Sequence, residues 1–304
     1  MKDYSKQNNE RIVKNTLTLY VRTALVMLVS LFTSRVVLSA LGIEDYGIYN
    51  IVGGVVVMFS VVSGALSASI SRFITFELGR ADMRKLRRIF STSINIQVGI
   101  SLLILILGET VGIWFLNYKM NIPLDRLEAA NWVLQCSLIT FVINLVSVPY
   151  NAVIIAHEKM SAFAYVSILE VILKLLIAYL LYISIWDKLV VYSLLLVLVA
   201  MTIRIVYGVY CNRHFFETRY QLVFDRTLIR DMTSFAGWGF FTNTAYLFNT
   251  QGINILINMF FGVGVNAACG IATQVESAMM RFVNDFTTAL NPQITKSYAI
   301  GNFD

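Results

Sequence analysis

Along this chain apolar residues gather in runs of twenty and more instead of alternating with polar ones. A spanning helix needs about 20 mostly apolar residues to cross a hydrocarbon core about 30 Å thick. Eight stretches qualify: 12–41, 46–71, 91–116, 130–156, 161–186, 189–211, 233–261 and 266–292. Their length predicts helices, because a barrel strand needs only about 9–11 residues of alternating polarity. A helix also satisfies its own backbone polar groups, as hydrocarbon demands. The expected fold class is an all-α membrane protein of about eight transmembrane helices.

Inside the apolar runs, polar residues keep helical spacing. On the eighth stretch Gln274, Ser277, Arg281, Asn284, Asp285, Thr288 and Asn291 recur at steps consistent with one face. The seventh carries Asn243, Thr250, Asn254 and Asn258. The second carries Ser60, Gly64, Ser67 and Ser71, a small-residue stripe of the kind that lets helices approach closely. The amide and arginine stripes are expected to face water or protein rather than lipid.

Composition agrees: 57% of residues are hydrophobic and 14% charged, against about 25% charged in soluble domains. The connections alternate in charge. Fifteen Lys and Arg lie in the N-terminal segment, the even-numbered loops and the tail, against three (Lys119, Arg126, Lys188) in the odd-numbered loops. By the positive-inside rule this predicts a multi-pass membrane chain with its N-terminus cytoplasmic. Trp114, Tyr118, Trp132 and Trp186 gather at the expected outer ends, where aromatic rings sit well. The first apolar run is too long for a secretory signal and is expected to be retained.

Six cations remain inside the spans: Arg22, Arg35, Arg72, Lys174, Arg204 and Arg281. A charge at the bilayer centre costs at least about 2.5–3.5 kcal/mol, so each needs a cavity, a partner or a route to the interface. Arg72 and Arg204 lie near cytoplasmic helix ends and are expected to snorkel. Arg35, near the outer end, has three options: snorkelling, pairing with Glu44 or Asp45, or a substrate role. Lys174 follows Glu170 by four residues, the spacing and order of a helical ion pair. Arg22 and Arg281 are expected at a similar depth, roughly 15 Å from one side and 22 Å from the other. They suggest a cationic cavity; the alternative is a sealed interface in which Arg281 pairs with Asp285.

Nucleotide-binding, metal-protease and serine-hydrolase motifs do not occur, so no enzyme activity, metal or other cofactor is expected. His157 and His214 read as loop residues. Cys136, Cys211 and Cys269 show no disulfide or metal spacing and read as packing residues.

Four stretches carry a resemblance: LFTSRVVLSALGIEDYGIYNIVGG, SRFITFELGRAD, DMTSFAGWGFFTNTAYLF and LNPQITKSYAIGNFD. In this order they resemble the multidrug/oligosaccharidyl-lipid/polysaccharide (MOP) exporter superfamily, specifically its Wzx-like polysaccharide flippase branch. The resemblance implies two six-helix lobes around a cavity open alternately to each side, lined by helices 1, 2, 7 and 8. Residues 1–220 would form the first lobe and 221–304 the first two helices of a second, apparently truncated one. It also implies a lipid-pyrophosphate-linked oligosaccharide substrate, as in O-antigen and lipopolysaccharide assembly. Arg22, Arg35 and Arg281 would bind its pyrophosphate, and Gln274, Ser277, Asn284, Asp285, Asn254 and Asn258 would line the cavity. The implied partners are that substrate, the lipid bilayer, a polysaccharide polymerase and glycosyltransferases, with no nucleic acid. Two other readings stand beside it. A drug or cation antiporter would use cavity acids such as Glu276 and Asp285; a membrane scaffold would transport nothing.

Overall fold

In the computed structural model the described chain covers residues 2–301 except 58, 119 and 121; side chains at 2–9, 55, 57, 61, 246–271, 273–275 and 278 lie outside the described set. The order is α1 (Lys2–Leu41), α2 (Ile43–Val57), α3 (Ser60–Gly79), α4 (Met83–Leu107), α5 (Ile113–Tyr118), α6 (Leu127–Ala156), α7 (Met160–Leu180), α8 (Lys188–His214) and α9 (Arg226–Ala299). No strand occurs among the described residues. Five stretches are long and apolar enough to cross a membrane: Glu10–Leu41, Met83–Tyr118, Leu124–Ala156, Met160–Leu180 and Lys188–His214. They coincide with the first, third, fourth, fifth and sixth expected spans.

The second expected span, 46–71, is instead broken into α2 and α3. Gly53 and Gly54 precede the break, and each weakens a helix by about 1 kcal/mol relative to alanine. The turn before α2 is a single residue, Gly42, at φ +84°, a conformation that favours glycine.

The seventh and eighth spans fall within one run of helical hydrogen bonding, α9 (Arg226–Ala299), which continues through the expected Gly262–Val265 turn. It is nevertheless not straight. Met232 receives a hydrogen bond from Ser69 of α3, and Lys296 lies beside Gly79 of the same helix. Ser69 and Gly79 are about 15 Å apart along α3, whereas Met232 and Lys296 would be roughly 96 Å apart in a straight helix. The chain therefore doubles back between Asn243, which neighbours Gly64 of α3, and Asp285, which meets α1. The first arm runs antiparallel to α3 and the second antiparallel to α1.

The main core lies among α3, α4, α6 and α8, around the fully buried Ile70, Ile74, Leu86, Ile89, Phe90 and Ile154. The Phe90 ring meets Tyr150 edge-to-face at 5.1 Å, a favoured aromatic geometry. The perimeter is apolar as well: Leu28, Leu31, Leu102, Leu103 and Ile106 are exposed. That surface suits hydrocarbon and not water. Where α4 passes through a π turn at Gly108–Gly112, α6 comes so close that a Cβ on Gly108 would sit 2.6 Å from the Leu138 side chain.

Candidate functional site

Arg22 sits where α1, α7 and the second arm of α9 meet. Its Nη2 donates to Ser167 Oγ at 3.2 Å, its guanidinium lies 4.8 Å from the centre of the Phe163 ring, and Nη1 is 3.9 Å from Asp285 Oδ1. The last distance is a Coulombic contact, too long for a hydrogen bond. Arg22 Nε has no partner among the described residues. A guanidinium offers five N–H donors, so this one keeps spare capacity, and its side chain is 23% exposed.

Asp285 accepts from the Thr23 hydroxyl and faces Arg22, so its partners lie on α1. The expected alternative of an Arg281–Asp285 pair is not formed. Arg281 is exposed, one helical turn from Asp285, and has no ion-pair partner among the described residues. That turn is about 6 Å along the axis, so the Arg22 contact brings both cations into one neighbourhood. Ser277, Asn284 and Glu276 are exposed on the same arm. The side chains of Gln274, Asn254 and Asn258 lie outside the described residues.

Arg35 is exposed near the far end of α1 and does not pair with Asp45. Asp45 is taken by Arg126, which also grips Asp187 at 2.5 Å. This clamp joins three connections at the end of the bundle poor in cations. Burial pushes the Asp187 carboxyl up, but the Arg126 hydrogen bond, two backbone N–H groups and the guanidinium charge hold it below the usual carboxylate range. Lys174 lies 2.6 Å from Glu170 on α7. Arg72 lies over the Phe235 ring of the first α9 arm at 4.5 Å.

Two further features were not anticipated. The first is a cavity of about 410 Å³ within the first six spans, lined by Tyr49, Asn50, Ser137, Thr140, Phe141 and Asn144 among others, with no charged side chain. Ser137, Thr140 and Asn144 follow steps of three and four, so a polar face on α6 was a readable signal. The second is a clamp at the basic end. Glu158, in the turn between α6 and α7, accepts from Lys296 at 2.7 Å and Gln293 at 3.3 Å and meets Arg11 at 3.5 Å. Beside it His157 pairs with Glu217 and stacks on Phe215, so it is more than the loop residue expected. His214 stacks on Tyr210. Cys136 and Cys211 are buried and free, and Cys269 lies outside the described side chains.

The described part of α9 reaches Arg22 and Thr23 of α1, Ser69 of α3 and Glu158 through polar contacts, and it packs on α4 and α6 as well. Past Thr23, α1 leaves Leu25, Leu28, Leu31 and Phe32 exposed. A multidrug resistance MATE family transporter of the MOP superfamily, solved in an outward-facing conformation, superposes with a TM-score of 0.81 at 14% identity, over 97% of this chain and 66% of that one. A MOP superfamily transporter from Pyrococcus furiosus, described as having a binding pocket of reverse polarity that suggests a different function, gives 0.80 at 13% identity over the same shares. A mutant of the Vibrio cholerae MATE transporter VcmN gives 0.76 at 13%, over 97% and 67%. This chain thus spans about two thirds of the length of these structures. No curated protein matches it in sequence. Residues 12–298 match the family described as polysaccharide biosynthesis protein, and the chain belongs to that family.

Proposed function

We propose that this chain belongs to a flippase that moves a lipid-pyrophosphate-linked oligosaccharide across a bacterial inner membrane by alternating access. The observation that carries the reading is Arg22: a half-buried guanidinium with unspent donors, within about a helical turn of Arg281, which has no ion-pair partner among the described residues. Pyrophosphate cannot enter hydrocarbon bare, and guanidinium pairs with phosphate oxygens in a bidentate fork. Arg35, exposed farther along α1, would extend the cationic track, while Ser277 and Asn284 would offer uncharged contacts. The uncharged cavity behind α2 suits a sugar better than a cation, since amides, hydroxyls and aromatic rings line it. The antiporter reading is weaker because Asp285, its best acid, is already engaged by Arg22 and Thr23.

In this reading the basic end is cytoplasmic, so Glu44→Cys reacts with an impermeant thiol reagent added outside cells and Met83→Cys does not. The lipid tail stays in the bilayer while the head group passes, and lobe rocking moves the site from one face to the other. The polymerase and glycosyltransferases acting before and after transport are the expected partners. The test is binding by the purified protein in nanodiscs of a polyprenyl-pyrophosphate oligosaccharide against a cationic dye. The oligosaccharide should bind in preference, and Arg22→Gln or Arg281→Gln should abolish that preference. Tight dye binding with no lipid-pyrophosphate binding would reject the reading in favour of a cation exporter.

A further inference from the structure

A second polar site lies on the other side of the first six spans. There α4 and α8 each pack on α6 and make no extended contact with one another. The gap is a cavity of about 370 Å³ lined by Ile94, Asn95, Val98, Tyr150, Arg204 and Tyr220. Arg204 is its one cation. Its guanidinium lies 4.0 Å from the centre of the Tyr150 ring, and it has neither an acid nor a hydrogen-bond acceptor among the described residues. The nearby Glu217 is taken by His157.

Arg204 is aimed. A helical side chain normally leans toward the N-terminus of its helix. This one runs the other way, toward the basic end, past Gly208 one turn on. A Cβ there would meet Arg204 Nη1 at 3.2 Å, so glycine leaves the lane open. The basic end of the gap is closed by the chain between α8 and α9, strapped to a single face of α4. Arg87 Nε donates to Arg219 O at 2.8 Å, Ser91 Oγ accepts from Gln221 N at 3.0 Å, and Asn95 Nδ2 donates to Val223 O at 2.9 Å. Those three α4 residues are spaced by four, one above the next. The strap holds Tyr220 in the wall, its hydroxyl donating to Asn95 Oδ1 at 2.7 Å. Asn95 Nδ2 keeps a second hydrogen to give. Away from the basic end the walls turn apolar and exposed, with Val98 and Leu102 on α4 and Met201 on α8.

We propose that this cleft binds the phosphate of an anionic phospholipid from the leaflet that meets the basic end. Arg204 and the free Asn95 N–H hold the phosphate, and one acyl chain lies along Val98, Leu102 and Met201. The order along the membrane normal is that of a lipid, cationic near the interface and apolar toward the midplane. The same chemistry would accept the phosphate of a polyprenyl carrier, but the narrow apolar wall beside a headgroup-sized chamber fits a resident phospholipid. The site does not depend on what the protein transports.

The test counts retained lipids by native mass spectrometry after extraction from nanodiscs of phosphatidylglycerol and phosphatidylcholine. The wild type should retain at least one phosphatidylglycerol that Arg204→Gln loses, with phosphatidylcholine retention unchanged; the preference should fall roughly tenfold, the size of one charge-assisted contact. Arg204→Lys, which keeps the charge and the fold, should fall between the two. Equal retention of both lipids, or an unaltered phosphatidylglycerol count in both variants, overturns the proposal. Displacement of phosphatidylglycerol by equimolar polyprenyl phosphate overturns the assignment to a phospholipid and gives the cleft to the carrier.

Discussion

Glu158 is the place where a small change should be felt most clearly. Its carboxylate is 7% exposed and is shared by Lys296, Gln293 and Arg11. Removing one member of a buried ion pair costs about 3–5 kcal/mol. Lys296 is 25% exposed and can partly rehydrate, which brings the loss to roughly 2–3 kcal/mol. Arg11, 63% exposed, adds little. Glu158→Gln should therefore lower the Tm by on the order of 5 °C. The backbone supplies an internal control. Glu158 sits at φ +58°, where a residue with a Cβ is disfavoured by about 1–2 kcal/mol. Glu158→Gly loses the same contacts as Glu158→Ala but sheds that strain, so glycine should be the more stable by about 1 kcal/mol. Thermal unfolding in detergent, followed by tryptophan fluorescence, measures all three. A Gln variant within about 0.5 kcal/mol of wild type, below the usual worth of a charged hydrogen bond, would refute the clamp. An Ala variant more stable than Gly would refute the strain.

The clamp at the other end has a definite pH sign. The folded Asp187 carboxyl is held below its usual range, so its contribution is complete above the unfolded value of about 3.9 and is lost as pH falls through the folded value. The Tm offset between wild type and Asp187→Asn should hold constant from pH 7 down to about 4.5 and shrink only below that. Arg22→Gln should destabilise by stranding Asp285, and adding Asp285→Asn should restore Tm without restoring lipid-pyrophosphate binding; recovery of binding would dismiss Arg22 as a ligand. Gly108→Ala should cost about 1–2 kcal/mol through overpacking against Leu138, and Leu138→Ala should make the added methyl nearly neutral; equal penalties in both backgrounds would show that the contact is not the cause.

Much of the architecture is readable from the chain because hydrocarbon imposes a single rule, a long apolar helix for each crossing. Five expected spans reappear, with limits that differ from the predicted ones by up to eight residues. The break between α2 and α3 was less legible, since Gly53 and Gly54 only weaken a helix and do not dictate where it ends. Side-chain partners were the least legible. Periodicity says which residues share a face but not which helix meets it. Asp285 follows Arg281 by four residues, yet that cation-before-acid order is the weaker one on a helix, and Arg22 and Thr23 of α1 take the carboxylate instead. Glu158 and Arg126 gave no signal because each gathers partners from segments far apart in sequence.

The way α9 is held also bears on how such a bundle could move. Lipid tails are as apolar as leucine, so no hydrophobic force drives one helix onto another within the bilayer, and association rests on close packing and polar contacts. At the basic end both are present: Gly79 lies against Lys296 and Ala299, and Glu158 collects two cations and an amide. At the opposite end Arg126 ties Asp45 to Asp187, contacts wholly within the first six spans, so it stiffens that part without joining it to α9. The seam between α9 and the earlier helices mixes charged contacts that water can replace with packed apolar ones, Ala289 against Leu19 and Met160 and the Phe282 ring against Tyr20. The Arg22–Asp285 contact lies on the same seam, so an anion drawn to Arg22 would compete with the carboxylate that helps hold α9 in place. Binding and opening would then act on one guanidinium, which is how a substrate could shift the balance between two arrangements by its differential affinity for them.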